Sequence, residues 1–180
     1  MYPFIRFAKE LYVHRNDPDL PLDGVHHSTH RCWPWDLDFW WELNNGRTLT
    51  LYDLGRIPLA KRVGLLDVLR RERWGLTIAG SAVRYRRRIR AFQKFEMQSR
   101  AIGFDKKFLY LDQSMWRNGE CLGQAVYRSA VTNAKGIVPP ESLLAALGTE
   151  PPQMDLPDWV KAWIAAEDAR PWPPQNHPKP

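Results

Sequence analysis

From Trp74 to Asn133 the chain alternates apolar and polar residues with a period of two, interrupted by short turn signals. Val83, Tyr85 and Ile89 fall on one face of Ser81 to Arg90, and Arg84, Arg86, Arg88 and Arg90 on the other, which predicts a strand with a basic face. Further strands are predicted from about Lys94 to Gly103, Lys107 to Trp116 and Glu120 to Asn133, with turns at Gly103 to Lys106 and Arg117 to Gly119. Links this short force antiparallel neighbours, so the second half of the chain must be a meander of long strands.

A helix precedes the meander. Asn44 and Asn45 are good N-cap residues, and Thr48, Leu49, Leu51, Tyr52, Leu54 and Ile57 make the following segment apolar around much of its circumference. That helix should be buried. Pro58 predicts a kink or an end near Ile57, because a mid-helix proline loses one hydrogen bond and clashes with the preceding turn. A short second helix is expected through Leu65, Leu66, Val68 and Leu69, and a first strand from about Val25 to Trp33. One strand, a buried helix and four long antiparallel strands amount to an antiparallel α+β fold.

The chemistry concentrates just ahead of that helix. Its first turn carries backbone N–H groups without intrahelical partners and the positive end of the macrodipole, which stabilise an anion or a polarised carbonyl oxygen. Asp38 lies seven residues before Asn45, close enough for the loop to fold its carboxylate over the same spot. A base beside an oxyanion-binding helix end suggests acyl transfer or hydrolysis. Asp36 is expected to be a surface or capping group, Asp53 to pair with Arg56, and Glu42 to pair with Arg47 or to form a polar wall.

The segment WDLDFWWELNNGRTLTLYDLGR (35–56), together with AGSAVRYRRRIRAFQKFEMQSR (79–100) and the later GIVPP, resembles the hotdog-fold acyl-CoA thioesterases of the 4-hydroxybenzoyl-CoA thioesterase-like branch. The similarity runs roughly from Val25 to Leu147. It implies a thioester hydrolase in which Asp38 acts as general base or nucleophile, while the N–H groups near Asn45 and Gly46 bind the thioester carbonyl. Glu42, Asn44, Thr48 and Trp41 become substrate-binding residues, and Arg86 and Arg88 are candidates for the phosphates of coenzyme A. Many relatives have His-Met-Asn-Asn where this chain has Glu42, Leu43, Asn44 and Asn45. That departure motivates the alternative of a non-catalytic acyl-CoA binding or scaffold protein. The resemblance further implies a homodimer or higher homo-oligomer, with Trp40 and Trp41 lining the interface or the acyl pocket. Coenzyme A enters as part of the substrate, and no separate cofactor is implied. The organisation expected is an N-terminal helical extension and linker (1–22), a hotdog domain (23–148), and a C-terminal helix with a proline-rich tail (149–180).

The 180 residues are 44% hydrophobic and 26% charged, a globular balance. The net charge of +6 favours a polyanionic partner such as nucleic acid, anionic lipid or a phosphate-bearing molecule. Tyr85 and Phe92 lie among the arginines, but no nucleic-acid motif accompanies them, and no nucleic-acid partner is expected. Cys32 and Cys121 belong to no CxxC pair and read as buried thiols, with a reducing cytoplasm as the expected compartment. His26 and His30 would stand about 13 Å apart in a strand, too far to share a metal ion. No GxSxG, GxGxxG or Walker sequence is present. No run approaches the roughly 18 apolar residues of a membrane span, and no stable membrane insertion is expected. At the N-terminus, Tyr2, Phe4, Ile5, Phe7, Ala8, Leu11 and Tyr12 form one face of a short helix with Arg6, Lys9, Glu10 and Arg15 outside it. That apolar face is expected to pack on its own domain or a sister subunit rather than on a membrane.

Overall fold

The computed structural model describes residues 2–149 and 154–174. Five strands form one antiparallel sheet in the order β1 (His26–Arg31), β3 (Lys94–Phe104), β4 (Leu109–Arg117), β5 (Glu120–Asn133), β2 (Gly75–Tyr85), and a short β6 (Gly136–Val138) folds back on the end of β5. Alternation explains the inner face: Phe95, Met97 and Ser99 turn inward along β3 while Lys94 and Glu96 face solvent. The three strands expected over residues 94–133 are present in the expected antiparallel order.

Helix α2 (Asn45–Arg62) lies against this face. Leu51 and Leu54 are buried among Phe95, Met97 and Met115, and the Tyr52 ring meets the edge of Tyr127 at 6.1 Å. Burial of each such leucine is worth roughly 1.5–3 kcal/mol. The sheet also grips the helix by a polar contact: the Gln113 amide donates to the Tyr52 carbonyl at 2.9 Å and to Ser99 Oγ at 2.7 Å. At Gly55 the helix comes so close to the sheet that a Cβ would stand 2.6 Å from Ser99 Oγ and 2.7 Å from Met97 Sδ.

Pro58 does not end this helix, which runs on to Arg62. Both flanks of the proline, Leu54 and Gly55 before it and Leu59 and Ala60 after it, are buried, and that packing outweighs the roughly 3 kcal/mol a mid-helix proline costs. The break comes instead at Gly64, in the left-handed region, ahead of α3 (Leu65–Glu72).

Strand β2 also differs from the expectation over Ser81 to Arg90. It begins at Gly75 and ends at Tyr85, because the Arg86 and Arg87 amides both donate to the one Leu122 carbonyl at 2.9 Å and the register with β5 is lost there. Arg86, Arg87, Arg88 and Arg90 therefore sit on a connecting segment rather than on a sheet face. Within it Ile89 turns into the core and its carbonyl accepts from the Leu43 amide at 2.8 Å.

The N-terminal helix α1 (Phe4–Val13) forms where expected but only part of its apolar face docks: Phe7 packs on the core and Leu11 is half-buried. Glu10 is buried and Arg6 reaches inward to Asp36, whereas Phe4, Ile5, Tyr12 and Val13 are exposed. The apolar face expected from periodicity is therefore split, because the Arg6–Asp36 ion pair and the burial of Glu10 turn part of it to solvent. At the other end, α4 (Pro140–Leu147) closes at Gly148, and α5 (Asp158–Ala169) buries Val160 against Tyr110 and Val126 of the sheet. Residues 171–174 of the proline-rich tail carry no helix or strand, and its remainder lies outside the described residues.

Candidate active site

The N-terminus of α2 is built as the sequence suggests. Asn44 is the cap, in extended geometry, and its Oδ1 accepts from the Arg47 amide at 3.0 Å. The Asn44 carbonyl takes the Thr48 amide at 2.8 Å and the Thr48 hydroxyl at 3.1 Å. The Asn45 and Gly46 amides take no hydrogen-bond partner among the described residues, and both residues are exposed. Two donors at the positive end of an eighteen-residue helix are thus open to a ligand.

Two aspartates precede this helix and have opposite surroundings. Asp36 is fully buried and not a surface group. Its Oδ2 accepts from Arg6 at 2.7 Å and from the Trp33 amide at 3.0 Å, and its Oδ1 from Arg47 at 2.6 Å. Arg47 is thereby committed to Asp36, and Glu42 pairs with Arg88 at 2.7 Å instead of with Arg47. Asp38 is half-buried on a tight hairpin closed by the Leu37–Leu43 bridge. Its backbone amide donates to the Glu42 carbonyl at 2.9 Å, and its Oδ1 accepts from the Trp40 amide at 2.8 Å and the Glu42 amide at 3.4 Å. Oδ2 has no partner among the described residues. Trp41 at the hairpin tip holds a left-handed backbone, φ 60°, and is exposed.

A cleft of about 210 Å³ opens beside the helix end. It brings together Glu42, Asn45, Thr48, Arg86 and Arg88 of the residues singled out in the sequence, along with Arg84, Tyr85 and Tyr52. Asp38 stands across the hairpin from Glu42 and outside that lining; Gly46 and Trp41 are outside it as well, and Asn44 faces a neighbouring groove. Among the described residues Arg84 and Arg86 pair with no carboxylate, so the cleft mouth carries uncompensated positive charge.

Tyr85 was missed. Alternation places it with the core residues Val83 and Ile89, yet it is exposed at the strand end and its hydroxyl donates to the Asn45 carbonyl at 3.3 Å. Burial raises its pKa, so the phenol stays neutral and remains a donor. The signal in the sequence was a hydroxyl-bearing aromatic at the boundary between the strand and the arginine run. Asp53 pairs with Arg56 as expected, and the Arg56 guanidinium lies 4.3 Å over the Tyr127 ring. Cys32 is buried, which pushes its thiol up to about 11, and Cys121 is half-buried. Neither has the surroundings of a nucleophile.

Along β1, His26 and His30 both turn inward, and Ser28 Oγ lies 2.8 Å from His30 Nε2. His26 instead meets His14 and Asp17, whose possible ligating atoms all lie within 4.8 Å of one another. A guanidinium already occupies that corner: Arg62 Nη1 is 3.2 Å from His26 Nδ1 and 3.6 Å from Asp17.

A single sheet curled about one buried helix, with strand order β1-β3-β4-β5-β2, defines the hotdog fold. The profile of the thioesterase-like superfamily matches residues 32–164, and the chain belongs to that superfamily. Among solved structures it resembles the probable thioesterase YbaW from Escherichia coli, with a TM-score of 0.63 and 16% identity over 68% of this chain and 96% of that one. It also resembles a 1,4-dihydroxy-2-naphthoyl-CoA thioesterase from Synechocystis, with a TM-score of 0.59 and 9% identity over 71% of this chain and all of that one. In sequence it is 28% identical over 136 residues to Protein THEM6 from Xenopus laevis, a match covering 76% of this chain and 65% of the relative. The chain thus spans about two thirds of that relative's length.

Proposed function

We propose that the protein hydrolyses acyl-CoA thioesters at the N-terminal end of α2. The observation that carries this reading is the pair of unpartnered amides at Asn45 and Gly46 on the first turn of α2, where Asn45 lines a cleft rimmed by Arg84, Arg86 and Arg88. The amides polarise the thioester carbonyl, and the arginines take the phosphates of coenzyme A. Thr48 and Glu42 wall the cleft beside the thioester, and Asn44 holds the helix end in place. Asp38 supplies the base through its open Oδ2. In one route it takes a proton from water as the water oxygen attacks the carbonyl carbon; the C–S bond then breaks and the thiolate leaves, to be protonated. In the other, the carboxylate attacks the carbonyl carbon and the C–S bond breaks, releasing the thiolate to be protonated and leaving a mixed anhydride that water hydrolyses to the free acid and the carboxylate.

Trp41 lines the acyl pocket completed by a second subunit in a cytoplasmic homodimer. The eleven-residue β2 supports a dimer, since its outer edge pairs with nothing among the described residues. A non-catalytic acyl-CoA binding protein is the second reading. It is favoured by Glu42, tied to Arg88, standing where the family resemblance implies a histidine in many members. Thiol release from short, long and aromatic acyl-CoAs separates the two. Turnover of any class supports hydrolysis, and acyl-CoA binding without turnover across the panel transfers the proposal to the second reading.

A further inference from the structure

Helix α1 turns Phe7 to the core but presents other apolar residues to solvent: Phe4 is 69% exposed and Ile5 88%, while Glu10 is 3% exposed. The exposed face is continuous with a groove of about 1080 Å³ whose apolar wall is formed by Tyr2, Phe4, Ile5, Trp33, Trp35 and Leu37. The Trp33 and Trp35 rings are stacked at 5.4 Å, and Trp35 is 69% exposed. Aromatic and aliphatic side chains this exposed gain little unless something covers them.

Beside the groove is a second concavity of about 320 Å³ that shares Ile5, Arg6 and Trp33 with it and is bordered by Lys9, Arg31 and Lys94. Lys9 is matched by Glu10 at 3.0 Å, and Arg6 by Asp36. Arg31 and Lys94 pair with no carboxylate among the described residues. An apolar trough beside two uncompensated cations matches an amphiphile with hydrocarbon chains and an anionic head. A second copy of the chain suits it less well, because a two-fold contact through this face would bring one cation collar against the other.

We propose that this face docks peripherally on the anionic surface of a lipid bilayer. Phe4, Ile5 and Trp35 enter the boundary of the acyl chains, and Arg31 and Lys94 lie at the phosphates. No helix among the described residues is long and apolar enough to cross a membrane, so the contact is interfacial. Trp and Tyr are the side chains that collect at this depth. The proposal stands apart from the α2 cleft and does not need hydrolytic activity.

The test is co-sedimentation of the full chain with vesicles of phosphatidylcholine alone and of phosphatidylcholine containing a quarter phosphatidylglycerol. The wild type should sediment with the anionic vesicles and much less with the neutral ones, and added salt should release it. Ile5→Ser, a change at an exposed position, should weaken partition roughly tenfold, the equivalent of losing one buried aliphatic side chain. Lys94→Glu should abolish the preference for anionic vesicles. Ile137→Ser, at an exposed apolar residue of β6, should bind like the wild type. Wild type left in the supernatant, or Ile5→Ser binding as well as the wild type, overturns the proposal. A fall in molar mass for Ile5→Ser, with no vesicle binding by the wild type, would assign the face to a second copy instead.

Discussion

Asp36 and Asp38 are two residues apart and begin two different kinds of region. Around Asp36 the molecule is closed: two arginines from α1 and α2 and one backbone amide converge on a carboxylate with no solvent exposure. Around Asp38 it is open, with a half-buried carboxylate held only by amides of its own hairpin, exposed tryptophans at the tip and a basic cleft on the far side. A carboxylate with both oxygens committed to partly buried cations holds structure together and has no capacity left for a proton in flight. One with a free oxygen on an open hairpin does. The chain thus places a fastening and a reactive group on either side of Leu37, and the same chemical change should act on stability at one and on turnover at the other.

Removing the fastening should have the largest effect. Asp36→Ala leaves two partly buried guanidinium groups without their partner and should cost about 3–5 kcal/mol. Urea unfolding reads this as a large fall in the midpoint, and a midpoint equal to that of the wild type would end the distinction between the two regions.

Acidification should also loosen the closed side, where β1 carries inward-facing imidazoles. Burial, aided by the positive charges of His14 and Arg62, pulls His26 down from 6.5 to about 4, and burial with Arg6 and Lys9 pulls His30 down to about 3. A histidine whose folded value lies below its unfolded one contributes nothing adverse above that unfolded value. It destabilises progressively as pH falls from 6.5, because the unfolded chain binds the proton first. The Tm should therefore drop steadily as pH is lowered from 6.5 towards about 4, and His26→Gln should flatten part of that slope. A Tm independent of pH over this range would mean that the imidazoles are solvated.

Asn44→Ala acts where the two regions meet, and its effect should be the smallest. Loss of the cap should cost about 1 kcal/mol, detectable as a small shift in the urea midpoint. A larger loss would show that the closed region depends on the cap more than on its ion pairs.

Much of this was legible in the sequence where the signal is local. Period-two alternation marked β3 because it buries one face, and Asn44 marked the start of α2 because a cap is a short-range device. What was not legible depends on distant partners. Pro58 is tolerated because the helix is buried on both sides of it. β2 ends early because two successive amides share one carbonyl of β5. The seating of α1 and the burial of Asp36 depend on a contact between residues thirty positions apart, Arg6 and Asp36. Within the candidate site the helix end and the arginines were readable as types, while Tyr85 was hidden by an alternation that continued past the end of its strand.

The most direct measurement is the kcat for thiol release of Asp38→Asn beside the wild type, with Tm and acyl-CoA affinity determined on the same preparations. Loss of about 10²–10⁴ in kcat, with Tm and affinity retained, is the expected result for a working base at the open hairpin. Wild-type turnover in the variant would contradict it.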